Sequence, residues 1–310
     1  MVAKKLISKY SCNVPVLFIV FNRPSTTLKV FEKIREAKPK KLYVAADGPR
    51  NNVLGEDDVC DEVRRIATNV DWPCKVYTLF RKKNLGCGKA VSGAITWFFK
   101  KEKMGIILED DCLPDKSFFN FCGELLIKYK DDESIMHISG YNVLEKVDYT
   151  YSYYFSRYVT VWGWATWRRA WKGYNLFVKD WKSGLGVSEF FSLSKVEQSY
   201  LLKCYDLAFS KKIDTWDYQW QYNCMINNGF GIVPKVNLVK NIGFGSGAIR
   251  TNNVNDWKAN LNIFNLSCLK HPLKIVRNKL FEDLFVRKVM HQRIYQRLWE
   301  FFVNILTRVN

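Results

Sequence analysis

Short apolar runs alternate with amphipathic stretches along the first third of this chain, and that alternation limits the folds open to it. Residues 14–21, VPVLFIVF, are an unbroken apolar run that predicts a buried strand. Leu28, Phe31 and Ile34 follow at helical spacing over 25–37, with Ser25 and Thr26 as candidate N-caps. The same reading predicts a strand over 40–47, a helix over about 56–69, a strand over 74–80 and a helix within 84–100. A further strand, Gly105 to Leu108, comes next. Strands and helices alternating through short connections imply an α/β fold, a mainly parallel, Rossmann-like central sheet covered by helices on both faces.

In such sheets ligands bind outside the carboxyl ends of the strands. The conspicuous polar residues sit there: Asn22 and Arg23 after the first strand, Asp47 after the second, and Glu109-Asp110-Asp111 after the fourth. The acidic run is unexpected in a chain with 48 Lys and Arg against 30 Asp and Glu. Adjacent carboxylates repel one another and raise one another's pKa unless a cation lies between them. Hard divalent cations take such oxygens, often one or two carboxylates plus substrate phosphates. A solvated acidic loop is the plainer reading of the triplet alone. In an extended segment Glu109 and Asp111 would share one face, with Asp110 on the other.

Beyond this region the chain becomes aromatic. Residues 153–171 hold Trp162-Gly163-Trp164, where a glycine beside large rings allows close approach of a ligand, although core packing also accounts for many of the rings. Residues 188–210 predict a helical stretch leading to TWDYQWQYNC, and 234–253 a strand followed by a loop with Gly243, Gly245 and Gly247. That loop lacks the Gly-Lys-Ser/Thr ending of a Walker loop. Nine Cys and three His, with no Cys-x-x-Cys pair, speak against a zinc site. Reduced thiols and a cytoplasmic setting are expected.

No secretory leader and no transmembrane run is evident in the sequence. The net charge of +18 calls for anionic partners. A nucleic-acid-binding protein is the non-enzyme alternative, but no RNA-recognition or helix-turn-helix signature is present and no nucleic-acid partner is expected. From about 257 to 310 the chain reads as a basic helical tail. Ile294, Leu298, Phe301 and Ile305 lie at helical spacing near Arg293, Arg297 and Arg308. Its apolar face would pack on the rest of the protein or rest on an anionic membrane at the inner face of the cell membrane.

Four segments, in order, resemble the GT-A glycosyltransferases that use nucleotide-sugars. They are FNRPST (21–26), VAADG (44–48), LEDDCLPDKSFFNF (108–121) and WDYQW (216–220). The nearest resemblance is to the inverting N-acetylglucosaminyltransferases that start complex N-glycan branches and to bacterial glycosyltransferase-like relatives. It spans about 14–251 and implies a catalytic domain over 1–256, with a nucleotide-binding half at about 14–112 and an acceptor half at about 113–256.

It further implies Mn²⁺ or Mg²⁺ at Asp111, donor-sugar contacts from Glu109, Gly163 and Trp164, and nucleotide contacts from Arg23, Asp47 and Asp110. Asp217 would be the general base, and Gly243, Gly245 and Gly247 part of a loop closing over the donor. Arg250, in the same glycine-rich loop, is a candidate cation for the charge that builds up on the leaving diphosphate. WDYQW carries one residue more between Asp217 and Trp220 than the family segment. The implied reaction is inverting transfer of a sugar, most readily from a UDP-linked donor, to a hydroxyl of a glycan or lipid-linked acceptor. A nucleotidyltransferase would place a metal and carboxylates on the same kind of sheet.

Overall fold

The structure is a computed structural model and describes residues 14–244 and 256–291. Strands β1 (Val16–Val20), β2 (Lys41–Ala46), β3 (Lys75–Phe80) and β4 (Met104–Glu109) run parallel, joined by helices α1 (Pro24–Ala37), α2 (Glu56–Thr68) and α3 (Cys87–Lys101). Beyond β4 the sheet becomes mixed. Strand β8 (Trp164–Trp167) enters antiparallel between β4 and β6 (Ile135–Ser139). Strand β9 (Phe230–Pro234) pairs parallel with β6, and β7 (Tyr153–Ser156) closes the edge antiparallel to β9. The order across the eight strands is β3-β2-β1-β4-β8-β6-β9-β7. The α/β class with a large central sheet flanked by helices is therefore present.

Strand β1 shows why the sheet is buried on both sides. Val16, Phe18 and Val20 point into one apolar cluster with Phe31 and Ile34 of α1. Leu17 and Ile19 point into the other, with Ile95 and Phe98 of α3. Period-two alternation of side chains on a run that is apolar throughout fills both faces. Helix α4 (Lys116–Lys128) adds Phe118, Phe121 and Leu125 to the first cluster. Helix α8 (Asp217–Ile226) adds Trp220 and Cys224 to the second. Helix α7 (Lys195–Phe209) begins with a capping box, Ser194 with Glu197, and packs Tyr205 against Tyr222 of α8.

Helix α1 differs from the expectation in one detail. Ser25 and Thr26 lie inside it, and the cap position is Arg23, which makes no side-chain capping bond. Pro24 opens the first turn, where its fixed φ suits the helix and its missing N–H costs nothing. Arg23 is thereby free to point elsewhere.

A two-stranded ribbon pairs β5 (Cys112–Pro114) with β10 (Val239–Asn241) antiparallel. Short helices α5 (Arg168–Trp171) and α6 (Ser188–Phe191) complete the body before the C-terminal segment. Among the described residues of that segment helix is confined to α9 (Lys279–Val286) and a π-helical turn at Arg287–His291. Residues 256–278 are largely irregular and lie on the body, burying Leu261 and Leu266. The stretch 292–310, with its helically spaced apolar and basic residues, lies outside the described residues.

Candidate functional site

Arg23 leaves β1 at the carboxyl edge of the sheet and meets the acidic run that leaves β4 beside it. Its Nη1 donates to Asp111 Oδ2 at 3.0 Å and its Nη2 pairs closely with Asp110 Oδ1. Asp110 Oδ2 also accepts the backbone N–H of Phe21 at 3.2 Å. The expected split, with Asp110 on a different face from Asp111, is not found. Strand β4 ends at Glu109 and the chain turns at 110–111, so alternation stops there and both aspartates reach one guanidinium. A protein cation therefore stands between two of the carboxylates.

The electrostatics follow from that arrangement. Burial works to discharge Arg23, but the carboxylates of Asp110 and Asp111 outweigh it and keep the guanidinium charged. Burial pushes Asp110 upward, opposed by Arg23. Glu109 has no such partner among the described residues. Burial, then the charges of Asp111 and Asp110, push it up to about 8 against the pull of Arg23, and Asp217 adds to the push. The first residue of α8 therefore lies within electrostatic reach of the acidic run.

Asp217 Oδ1 accepts from Thr215 Oγ1 and from the N–H of Tyr218, the latter at 3.0 Å. Thr215 and Trp216 are almost fully buried, and Trp216 stacks on Trp164 at 5.5 Å between ring centroids. Asp214, three residues upstream, is engaged differently. Its Oδ1 accepts the N–H of Gly88 in the first turn of α3 at 2.9 Å. A side chain on Gly86 or Gly88 would come within 2.5 or 2.7 Å of that carboxylate. The Gly-Cys-Gly of 86–88 was visible in the sequence, but nothing local connected it to Asp214. An acid at a helix N-terminus is favoured by the exposed N–H groups and the helix dipole.

Gly243 lies against the acidic run. A Cβ there would fall 2.3 Å from Asp111 Oδ2 and 2.7 Å from Arg23 Nη1. Its N–H donates to Asn241 Oδ1 at 2.8 Å, and Ile242 N–H donates to the Asp111 carbonyl at 2.8 Å. The β5–β10 ribbon holds these parts together. Gly245, Gly247 and Arg250 lie outside the described residues.

Three residues expected to contact the donor or nucleotide also hold structural places. Trp164 is fully buried between His137 and Trp216, so it supports the site from beneath and offers no surface to a sugar. A cluster of rings with apolar neighbours on all sides favours the core over a ligand. Gly163 has φ +62 and gives its missing side-chain space to Val239 of β10, 2.8 Å from where a Cβ would stand. Asp47 is buried, and its carboxylate is taken by the N–H groups of Gly48 and Leu85 at 2.9–3.1 Å. Burial pushes the Asp47 carboxyl up while those N–H groups pull it down. It shapes the edge by tying the loop after β2 to the loop after β3. Trp162, partly exposed, packs edge-on against Phe244 at 5.9 Å between ring centroids.

No three or more His, Cys, Asp or Glu side chains among the described residues form a group that could by itself hold a metal ion. Asp111 Oδ2 faces Arg23, and Glu109 lies on the same run; hard divalent cations take such oxygens together with those of phosphates and water.

No family model matches the chain, and no curated protein matches it. Solved structures that it resembles include HddC from Yersinia pseudotuberculosis, at 10% identity and TM-score 0.31, covering 50% of this chain and 77% of that one. A UDP-glucose pyrophosphorylase complexed with UDP-glucose gives 9% identity and TM-score 0.37, with 74% and 93% covered. Its apo counterpart gives 7% and 0.40 over the same shares. Likeness at this level bears on neither activity nor substrate. No helix among the described residues is long and apolar enough to cross a membrane.

Proposed function

We propose that this protein is a nucleotide-sugar-dependent glycosyltransferase, metal-dependent and inverting, that moves a sugar from a UDP-type donor to a hydroxyl of a glycan or lipid-linked acceptor. The observation that carries the reading is the acidic run gathered around Arg23 at the carboxyl edge of the sheet, with the Asp217 carboxylate near enough to add its charge to the push on Glu109. A leaving diphosphate builds up negative charge, and an attacking hydroxyl must lose a proton; this edge has groups for both needs.

Asp111, with Glu109 near it, would hold Mn²⁺ or Mg²⁺, which when bound supplies Lewis-acid neutralisation of the diphosphate. Arg23 keeps Asp110 and Asp111 from repelling one another. The Gly243 segment, which lacks any side chain where it meets Asp111, lets main chain come down over the same point. Asp217, oriented by Thr215, takes the proton of the acceptor hydroxyl. One base and attack from the side opposite the leaving group give inversion.

Nucleotidyl transfer would use the acidic edge equally well but leaves Asp217 without a task. The products separate the two. Incubation with UDP-sugars and Mn²⁺ should release UDP, whereas nucleotidyl transfer releases or consumes pyrophosphate. Asp217→Asn should bind UDP with unchanged Mn²⁺ dependence while turnover falls by roughly 10²–10⁴-fold. Release of pyrophosphate, or a loss of only a few-fold in the variant, would refute the assignment.

A further inference from the structure

An apolar patch stands out on the surface of the C-terminal segment. Leu273, Val276, Leu280 and Leu284 are 88%, 66%, 65% and 38% exposed. They belong to one short stretch that ends in α9, while the other side of that helix is fixed to the body. Phe281 packs on Tyr149 and Tyr154, and Val286 is buried near Tyr158. Glu282 receives the N–H of Arg157 at 2.6 Å. Arg277 turns inward to Glu189 at 3.0 Å. The outward face is thus held in place by its own inner face.

Its charged neighbours have one predominant sign. Lys274, Lys279 and Arg287 are exposed and make no ion pair among the described residues; Asp283 is the exposed acid among them. Exposed leucines among unpaired cations are the pattern of a segment lying in a membrane interface, with apolar side chains in the acyl boundary and basic groups at the phosphates. The sequence that follows is basic as well, with Arg293, Arg297 and Arg308. The chain's net charge of +18 disfavours a second copy as the cover. An anionic lipid surface complements both.

We propose that residues 273–287 form a docking surface for an anionic lipid bilayer. The inference stands apart from the catalytic reading, since it rests on no residue of the carboxyl edge.

The test is sedimentation of the full chain with vesicles of neutral phosphatidylcholine alone or mixed with phosphatidylglycerol. The protein should pellet with the mixed vesicles at low salt, far less with neutral ones, and less again as salt rises. Leu273→Glu with Leu280→Glu should lower partitioning on the order of 100-fold. Lys274→Glu with Lys279→Glu should lower it by about tenfold or more. Both pairs are exposed, so circular dichroism and Tm should match the parent. Three results overturn the proposal: no binding to anionic vesicles, binding that both double variants retain, or a dimer in sedimentation velocity that the leucine variant dissolves.

Discussion

His137 lies at the centre of β6, fully buried, and its two ring nitrogens have fixed partners. Nδ1 faces the indole Nε1–H of Trp220 at 3.0 Å, and Nε2 faces the carbonyl of Thr160 at 3.0 Å. An indole only donates and a carbonyl only accepts, so Nδ1 must accept and Nε2 must carry the hydrogen. A second proton would set two N–H groups against each other. Burial lowers the pKa from 6.5 to about 3, with only the Thr160 carbonyl opposing.

The unfolded chain therefore takes up a proton near pH 6.5 that the folded protein refuses until about pH 3. Stability must fall as the pH drops through that window, at up to about 1.4 kcal/mol per unit. Integrated from pH 7 to pH 5, one such histidine removes about 2 kcal/mol. His137→Gln removes the titration. The variant should be less stable than the parent at pH 7, because the Trp220 and Thr160 bonds are disturbed. Its further loss between pH 7 and pH 5 should be smaller than the parent's by about 2 kcal/mol.

Urea unfolding followed by tryptophan fluorescence at the two pH values measures both quantities. Parallel pH dependence in parent and variant would falsify the neutral tautomer and the reasoning behind it. The residue also matters for the site, since its ring stacks on Trp164, which stacks on Trp216 next to Asp217.

Arg23→Gln should cost about 3 kcal/mol or more in urea unfolding, because it leaves buried Asp110 without its cation. Adding Asp110→Asn should recover part of that loss, and a double variant no more stable than the single one would show that the pair is not what Arg23 supports. Gly243→Ala should weaken UDP binding in the presence of Mn²⁺ by at least about tenfold and cost about 1–3 kcal/mol, since a Cβ would strike Asp111 and Arg23. Unchanged affinity and unchanged stability together would mean that the segment does not rest where the structure puts it.

The strand and helix alternation from Val16 to Glu109 was readable in the sequence because its signals are local: apolar runs, helical spacing and strand-end polarity. The antiparallel insertion of β8 was not, because Trp164–Trp167 is an aromatic stretch whose neighbours, β4 and β6, are chosen by packing. The candidate site was legible residue by residue but not as an assembly. Arg23 and the acidic run were each conspicuous, yet their pairing depends on the turn at 110–111, which breaks the alternation assumed for a strand. Ring density looks the same in a core and on a sugar platform, and burial is what sets Trp164 in the core. Asp214 had no local sign of its bond to the first turn of α3.

The β5–β10 ribbon joins Cys112 to Asn241, so the acidic edge is completed by a strand made far later in the chain. During synthesis β1, β4 and Arg23 can come together, and the carboxylates can find their guanidinium, well before Gly243 exists. Contacts of such long sequence separation form slowly, because the chain between them must be ordered first. The β5–β10 pairing is therefore expected to form later in folding than the β1–β4 pairing, whose partners lie closer in sequence.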